Sequence, residues 1–298
     1  MGKLCEFIMI AVTSSRMTQQ RTKRTKATVK HKPARETKWI WTAGAMLVFF
    51  LALIAWHYKA GIIYYFRTIT SKSRTLAKDV KYDIRNIEIM SKHNDKVFGI
   101  DVSTYQDNID WQKVNTINDQ FPIDFVFIRA TMGEKGVDDK FSRNWSKIEN
   151  RAILRGAYHY FRPNENSVKQ AKNFIRKVKL RPGDLPPVLD IEEHPKQQSM
   201  DSLKVGLKRW LNEVESHYKV KPILYSGDKF YSDFLEREFS TYTLWIANYN
   251  FWIENPKDHW AFWQFSEKGS VTGIRGNVDL NIYNGKIEEL EKLLIPFK

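Results

Sequence analysis

Cysteine is almost absent: Cys5 stands alone in 298 residues. That excludes an intrachain disulfide framework and a cysteine-based zinc site. No repeat or low-complexity segment breaks up the region after residue 96. Aromatics, by contrast, are plentiful at 14%, with 10 Trp, which excludes a mostly disordered chain. Acid is scarce in one part only. Residues 1–96 hold 19 Lys+Arg against 6 Asp+Glu, whereas residues 97–298 hold 29 against 28. The formal charge of +14 is therefore a property of the N-terminal third. As a whole-chain average it points to an anionic partner such as nucleic acid. Its placement beside an uncharged run argues against that.

The uncharged run is Trp39–Trp56, WIWTAGAMLVFFLALIAW, 18 residues with Thr42 as the clearly polar side chain. A helix of this length spans roughly 27 Å, close to the hydrocarbon thickness of a bilayer. Trp39, Trp41, Trp56 and Tyr58 sit where interfacial aromatics belong. The alternatives are a buried core helix, which seldom has such flanking charge, and a cleaved signal peptide, for which the run is too long and lacks a small-residue exit site. Arg16 to Lys38 contains nine basic residues and one acid, Glu36. The positive-inside bias then predicts a single-pass anchor in a bacterial cytoplasmic (inner) membrane, N-terminus inside and the C-terminal region exported. Met17 opens MTQQRTKRTK, a natural cytoplasmic n-region and an alternative translation start to Met1. Cys5, with no apolar run before it, is read as incidental. The expected organisation is a basic tail over 1–38, a transmembrane helix over 39–58, a juxtamembrane spacer over 59–96, and a catalytic domain over 97–298.

From Val97 onward, short β-branched and aromatic runs alternate with amphipathic stretches. Strands are predicted over 97–103, 124–131, 154–161, 186–192, 221–226, 243–249, 260–266 and 277–283. Helices are predicted near 111–118, 139–151, 166–179, 199–217, 228–236 and 286–294. Eight strands with helices mainly between the earlier ones indicate an α/β barrel-like domain.

Barrel enzymes place their chemistry at strand ends, so acids inside apolar strands are informative. Asp101 ends FGIDVS, Asp190 and Glu192 end VLDIE, and Asp279 lies in NVDL. Burying a carboxylate is costly unless it is paired, hydrogen-bonded or protonated. Asp190 and Glu192 are two apart, so in a strand they share a face. Two close carboxylates split into an acid and an anion, which is what glycosidic bond cleavage needs. Acid clusters also bind Mg²⁺ or Ca²⁺, so a metal-dependent hydrolase is a competing reading, which activity in EDTA would test. No cofactor or metal site is assigned. Tyr158 and Tyr160 in GAYHYF, Tyr225 in KPILYS, Trp245 and Tyr249 in LWIANY, and Trp263 in AFWQFS offer rings on which a sugar can pack; core packing is the alternative for each. His159 alternates with the two tyrosines and is read as structural.

Taken together and in order, FGIDVSTYQDNIDWQKV (98–114), FVFIRATMG (125–133), FSRNW (141–145), RGAYHYFRP (155–163), LPPVLDIE (185–192), KPILYS (221–226), LWIANY (244–249), FWQFS (262–266) and GNVDLNIYNG (276–285) resemble the glycoside hydrolase family 25 lysozymes, the Chalaropsis-type muramidases. The resemblance covers 97–298 and leaves the anchor outside. It implies a modified β/α (TIM-like) barrel of about eight strands and fewer than eight helices. It also implies hydrolysis of the β-1,4 bond between N-acetylmuramic acid and N-acetylglucosamine, with peptidoglycan glycan strands as the partner. Carried over by motif, Glu192 matches the general acid and Asp190 the second catalytic carboxylate. Asp101 and Asp279 match acids lining the groove, and Tyr158, Tyr160, Tyr225, Trp245, Tyr249 and Trp263 fall near the sugar. Where the family often has Lys-Ala-Thr-Glu-Gly, this sequence has Arg129-Ala130-Thr131-Met132-Gly133, and one groove contact is lost with the Glu. A non-catalytic wall-binding module on the same fold is the alternative; the four filled acidic positions argue against it.

Overall fold

The computed structural model describes residues 35–59, 61–63, 80–149, 151–256 and 260–296. Cys5, Met17 and most of the basic tail lie outside the described residues. The chain divides into two compact units, 1–53 and 54–298.

Helix α1 (Arg35–His57) begins in the first unit and carries the apolar run. Its stretch Trp39–His57 has a mean hydropathy of 2.0 and is long and apolar enough to cross a membrane. None of that stretch is buried, which separates it from a core helix.

The second unit opens with α2 (Val80–Lys92) and continues into β1 (Val97–Val102), β2 (Phe125–Met132), α3 (Phe141–Ile148), β3 (Leu154–Tyr160) and α4 (Ser167–Lys177). There follow β4 (Val188–Asp190), α5 (Met200–Tyr218), β5 (Ile223–Gly227), a helical stretch over 228–239, β6 (Thr243–Ala247), β7 (Phe262–Gly269), β8 (Val278–Tyr283) and α6 (Ile287–Glu291). The eight strands close into a barrel. Strands β1 to β7 run parallel to their neighbours, and β8 runs antiparallel to both β7 and β1. Helices cross over after β2, β3, β4 and β5.

The β2 sequence FVFIRATM shows why the sheet closes. Both of its faces are apolar, as a strand buried on two sides requires. Phe125 and Phe127 join Val188, Ile223, Trp245 and Phe262 in a cluster inside the barrel. Val126 and Ile128 join the larger cluster between sheet and helices. Gly99 and Gly156 make room inside: a Cβ on either would fall within 2.5 Å of the Phe125 or Phe127 ring. On α5, Leu203, Leu207, Trp210, Leu211 and Val214 form one buried stripe at helical spacing, and Ser199 caps its start by accepting from the Ser202 amide. Emptying such a position, as in Leu207→Ala, is expected to cost about 2–5 kcal/mol.

Two expectations need correction. Residues 111–118 do not form a helix. Ile109, Trp111, Val114 and Ile117 are all buried, which mimics a helical stripe. Asn118 and Asp119, however, adopt left-handed φ of 51° and 56°, and the chain turns from a short strand Thr116–Ile117 into its partner Phe121–Pro122. Second, the stretch read as a spacer over 59–96 holds α2, whose Asn86, Ile87, Ile89 and Met90 are buried. Its Asn86 amide donates to the Lys268 carbonyl at 3.0 Å. The packed body therefore extends N-terminal of Val97.

Candidate active site

Parallel register builds one wall of the site. Tyr160, Asp190, Tyr225 and Trp245 are paired in sequence across β3, β4, β5 and β6, so all four present side chains to the same side. Glu192 follows two residues beyond Asp190, past the end of β4. These residues line a cavity of about 190 Å³ with Asp101, Asp279, Tyr158 and Tyr249. Asp190 is buried on its floor, whereas Glu192 is exposed at its mouth.

The antiparallel β8 supplies the other wall. A last strand parallel to the rest would carry Asp279, its second residue, to the far end of the barrel. Because β8 is reversed, Asp279 comes opposite Asp101, the fifth residue of β1, at the same rim. The Asp101 Oδ2 accepts from Gln264 Nε2 at 2.6 Å and from Asn281 Nδ2 at 2.8 Å. Gln264 Oε1 accepts from the Tyr225 hydroxyl at 2.6 Å and from the Tyr249 hydroxyl. Trp245 is fixed by its Nε1, which donates to Asn281 Oδ1 at 2.8 Å, and by stacking on Phe127 with ring centroids 4.6 Å apart.

Burial and mutual repulsion hold protons in this cleft. Burial raises Asp279 to about 9, helped by the neighbouring Asp101 charge. Burial also raises Asp101, but its hydrogen bonds from Asn281 and Gln264 hold it to about 6. Asp279 thus carries a proton at neutral pH, opposite the Asp101 carboxylate. Asp190 is pushed well up by burial and by the Glu192 charge beside it. Glu192, whose side chain opens to solvent, is raised as well by partial desolvation in the cleft. Asp190 Oδ1 is buried without a hydrogen-bond partner in the protein. Among the lining residues Arg129 is cationic, and it is engaged by Asp138 at 3.0 Å.

Nine of the ten site residues expected from sequence therefore meet in one cleft. Trp263 does not. It is wholly buried outside the barrel, donates to the Asn248 carbonyl at 3.1 Å, and packs on Trp260 and Phe265. The inward position of β7 belongs to Gln264, which sequence reasoning passed over along with Asn281. Alternation offered the signal for Asn281, two residues after Asp279 in VDLNIY. His159 is structural as expected: it is buried, bonded to Thr131 at 2.7 Å and Gln170 at 3.1 Å, and stacked on Trp210.

A sequence model of glycosyl hydrolases family 25 matches residues 100–274, more than half of the chain. The chain belongs to that family. As a family 25 member it is a glycoside hydrolase. It is 44% identical over 206 residues to the uncharacterized protein YegX of Escherichia coli (strain K12), covering 68% of this chain and 75% of that protein. It is 32% identical over 213 residues to Lysozyme M1 of Streptomyces globisporus, covering 65% and 70%. The crystal structure of a bacterial lysozyme from Streptomyces coelicolor superposes with a TM-score of 0.61 at 29% identity, covering 67% of this chain and 97% of that one. The matched family segment ends before Asp279 and begins after α2.

Proposed function

We propose that this family 25 enzyme is a muramidase that hydrolyses the β-1,4 bond between N-acetylmuramic acid and N-acetylglucosamine in peptidoglycan. The observation that carries the reading is the Asp190–Glu192 pair, two carboxylates set together in one aromatic-lined cleft. Similarity to Lysozyme M1 supports the substrate class.

Glu192 is the general acid. It stands at the mouth, where a polymer's glycosidic oxygen arrives, and it transfers its proton to that oxygen as the bond to the anomeric carbon breaks. Asp190, deep on the floor, is the assisting carboxylate. Its unpartnered Oδ1 is placed to accept from the substrate's acetamido N–H while that group's oxygen attacks the anomeric carbon. Its charge then offsets the positive ring so formed. Water next attacks the anomeric carbon and gives its proton to Glu192, which restores the acid. Proton transfer of this kind contributes about 10²–10⁴-fold in rate. Asp101 and Asp279 keep the groove anionic by one charge rather than two, and Tyr158, Tyr160, Tyr225, Trp245 and Tyr249 bind the sugar rings.

The apolar α1 is the membrane anchor in this reading, with the basic tail over 1–38 inside and the barrel exported. Digestion of purified peptidoglycan by the full-length chain, followed by mass spectrometry of the fragments, tests the function. Reducing ends of N-acetylmuramic acid are expected. Reducing ends of N-acetylglucosamine, or cut stem peptides, would overturn it.

A further inference from the structure

Helix α2 lies outside the matched family segment, yet one of its buried side chains, Arg85, reaches the backbone behind the cleft. Arg85 Nη1 donates to the Phe265 carbonyl at 2.8 Å. Its Nη2 donates to the Asn250 carbonyl at 2.9 Å and its Nε to the Phe251 carbonyl at 3.2 Å, with the Ile253 carbonyl at 3.5 Å. No carboxylate pairs with Arg85 among the described residues. Burial lowers the guanidinium to about 10, so it stays charged at neutral pH.

These carbonyls are open to the guanidinium for identifiable reasons. The β7–β8 register shifts between Gln264 and Ser266, which leaves Phe265 as a bulge without a ladder partner. Residues 250–253 form the turn after β6. A buried, unpaired carbonyl such as that of Phe265 is costly, and the five-donor guanidinium answers it while adding a second bond to the Asn250 carbonyl, which also accepts from the Ile253 amide at 3.0 Å. The two best-bonded carbonyls belong to Phe265 and Asn250. Each is the residue directly after a member of the Gln264–Tyr249 pair, whose side chains bond to one another inside the cleft. Gln264 in turn holds Asp101.

We propose that Arg85 is a positioning residue for the cleft: it braces the backbone carrying Tyr249 and Gln264 and, through Gln264, the orientation of Asp101. The juxtamembrane helix is then part of the enzyme and not a tether alone. The proposal rests on the glycosidase reading above for its kinetic arm. Arg85→Met keeps much of the side-chain volume and removes every donor. In the full-length chain it is expected to lower kcat/KM on peptidoglycan about tenfold, or ~1.4 kcal/mol. It should also speed amide hydrogen exchange in 249–254 and 264–267. The loss should be non-additive with that of Tyr249→Phe, because both act through one unit. Asn86→Ala, which weakens α2 docking one residue away, should lower Tm with kcat/KM unchanged. Arg85→Lys should recover part of the loss and serves if the Met variant does not fold. Wild-type exchange and kcat/KM in a folded Arg85→Met, or additive losses with Tyr249→Phe, would overturn the proposal. A wild-type chain inactive on peptidoglycan would instead refute the muramidase reading, and the exchange measurement alone would then decide the role of Arg85.

Discussion

Asp101 and Asp279 stand opposite one another across the antiparallel β1–β8 pair, although their positions differ by 178 in sequence. This contact exists because the last strand is reversed. It places two acids where a parallel barrel would place one.

The pair should leave a mark on stability. Asp279 is raised to about 9 in the folded chain, so the folded state holds a proton that the unfolded state releases near pH 4. Its contribution is fully present below pH 4 and is lost as pH rises toward 9. Asp279→Asn keeps a donor toward Asp101 and removes the titration. Its Tm relative to wild type is expected to be higher at pH 8 than at pH 4, by roughly 2–4 °C. Thermal melts at the two pH values check this.

Gln264 is expected to set the acid limb of the rate profile. It donates to Asp101 at 2.6 Å and so favours the anion. In Gln264→Leu that donor is gone and the Asp101 pKa should rise from about 6. The acidic limb of kcat/KM against pH should move upward by about one unit. An unmoved limb would separate Asp101 from the titration that governs activity.

Trp245 and Trp263 are adjacent strand tryptophans with different expected phenotypes. Trp263→Ala empties a core site outside the barrel and should cost about 3–5 kcal/mol of stability, with KM of the folded fraction unchanged. Trp245→Phe keeps the ring but loses the 2.8 Å bond to Asn281, which itself holds Asp101. It should raise KM several-fold with a smaller change in Tm. Steady-state kinetics with parallel denaturation distinguishes the two.

Much of this was legible in sequence, for physical reasons. Eight strands show as short apolar runs, and acids such as Asp190 stand out because an apolar strand tolerates them only under compensation. Legibility failed where two buried faces erase alternation. In β7, Phe262, Trp263, Gln264 and Phe265 are all buried, so nothing in AFWQFS shows which of Trp263 and Gln264 faces the cleft. It failed at 111–118, where buried positions three apart served a turn. At α2, within the stretch read as a partly helical spacer, the Arg85 bonds to backbone carbonyls leave no local pattern in the sequence. The reversal of β8 was equally hidden, since strand direction is set by the connection and leaves no trace in the strand's own residues.

The most direct measurement concerns Glu192. Glu192→Gln removes the transferable proton and keeps the side chain's size at an exposed position, so Tm should stay within about 1 °C of wild type. Release of reducing ends from peptidoglycan by this variant is expected to fall by about 10²–10⁴-fold. Release at the wild-type rate would contradict the assignment of the acid and, with it, the mechanism built on the Asp190–Glu192 pair.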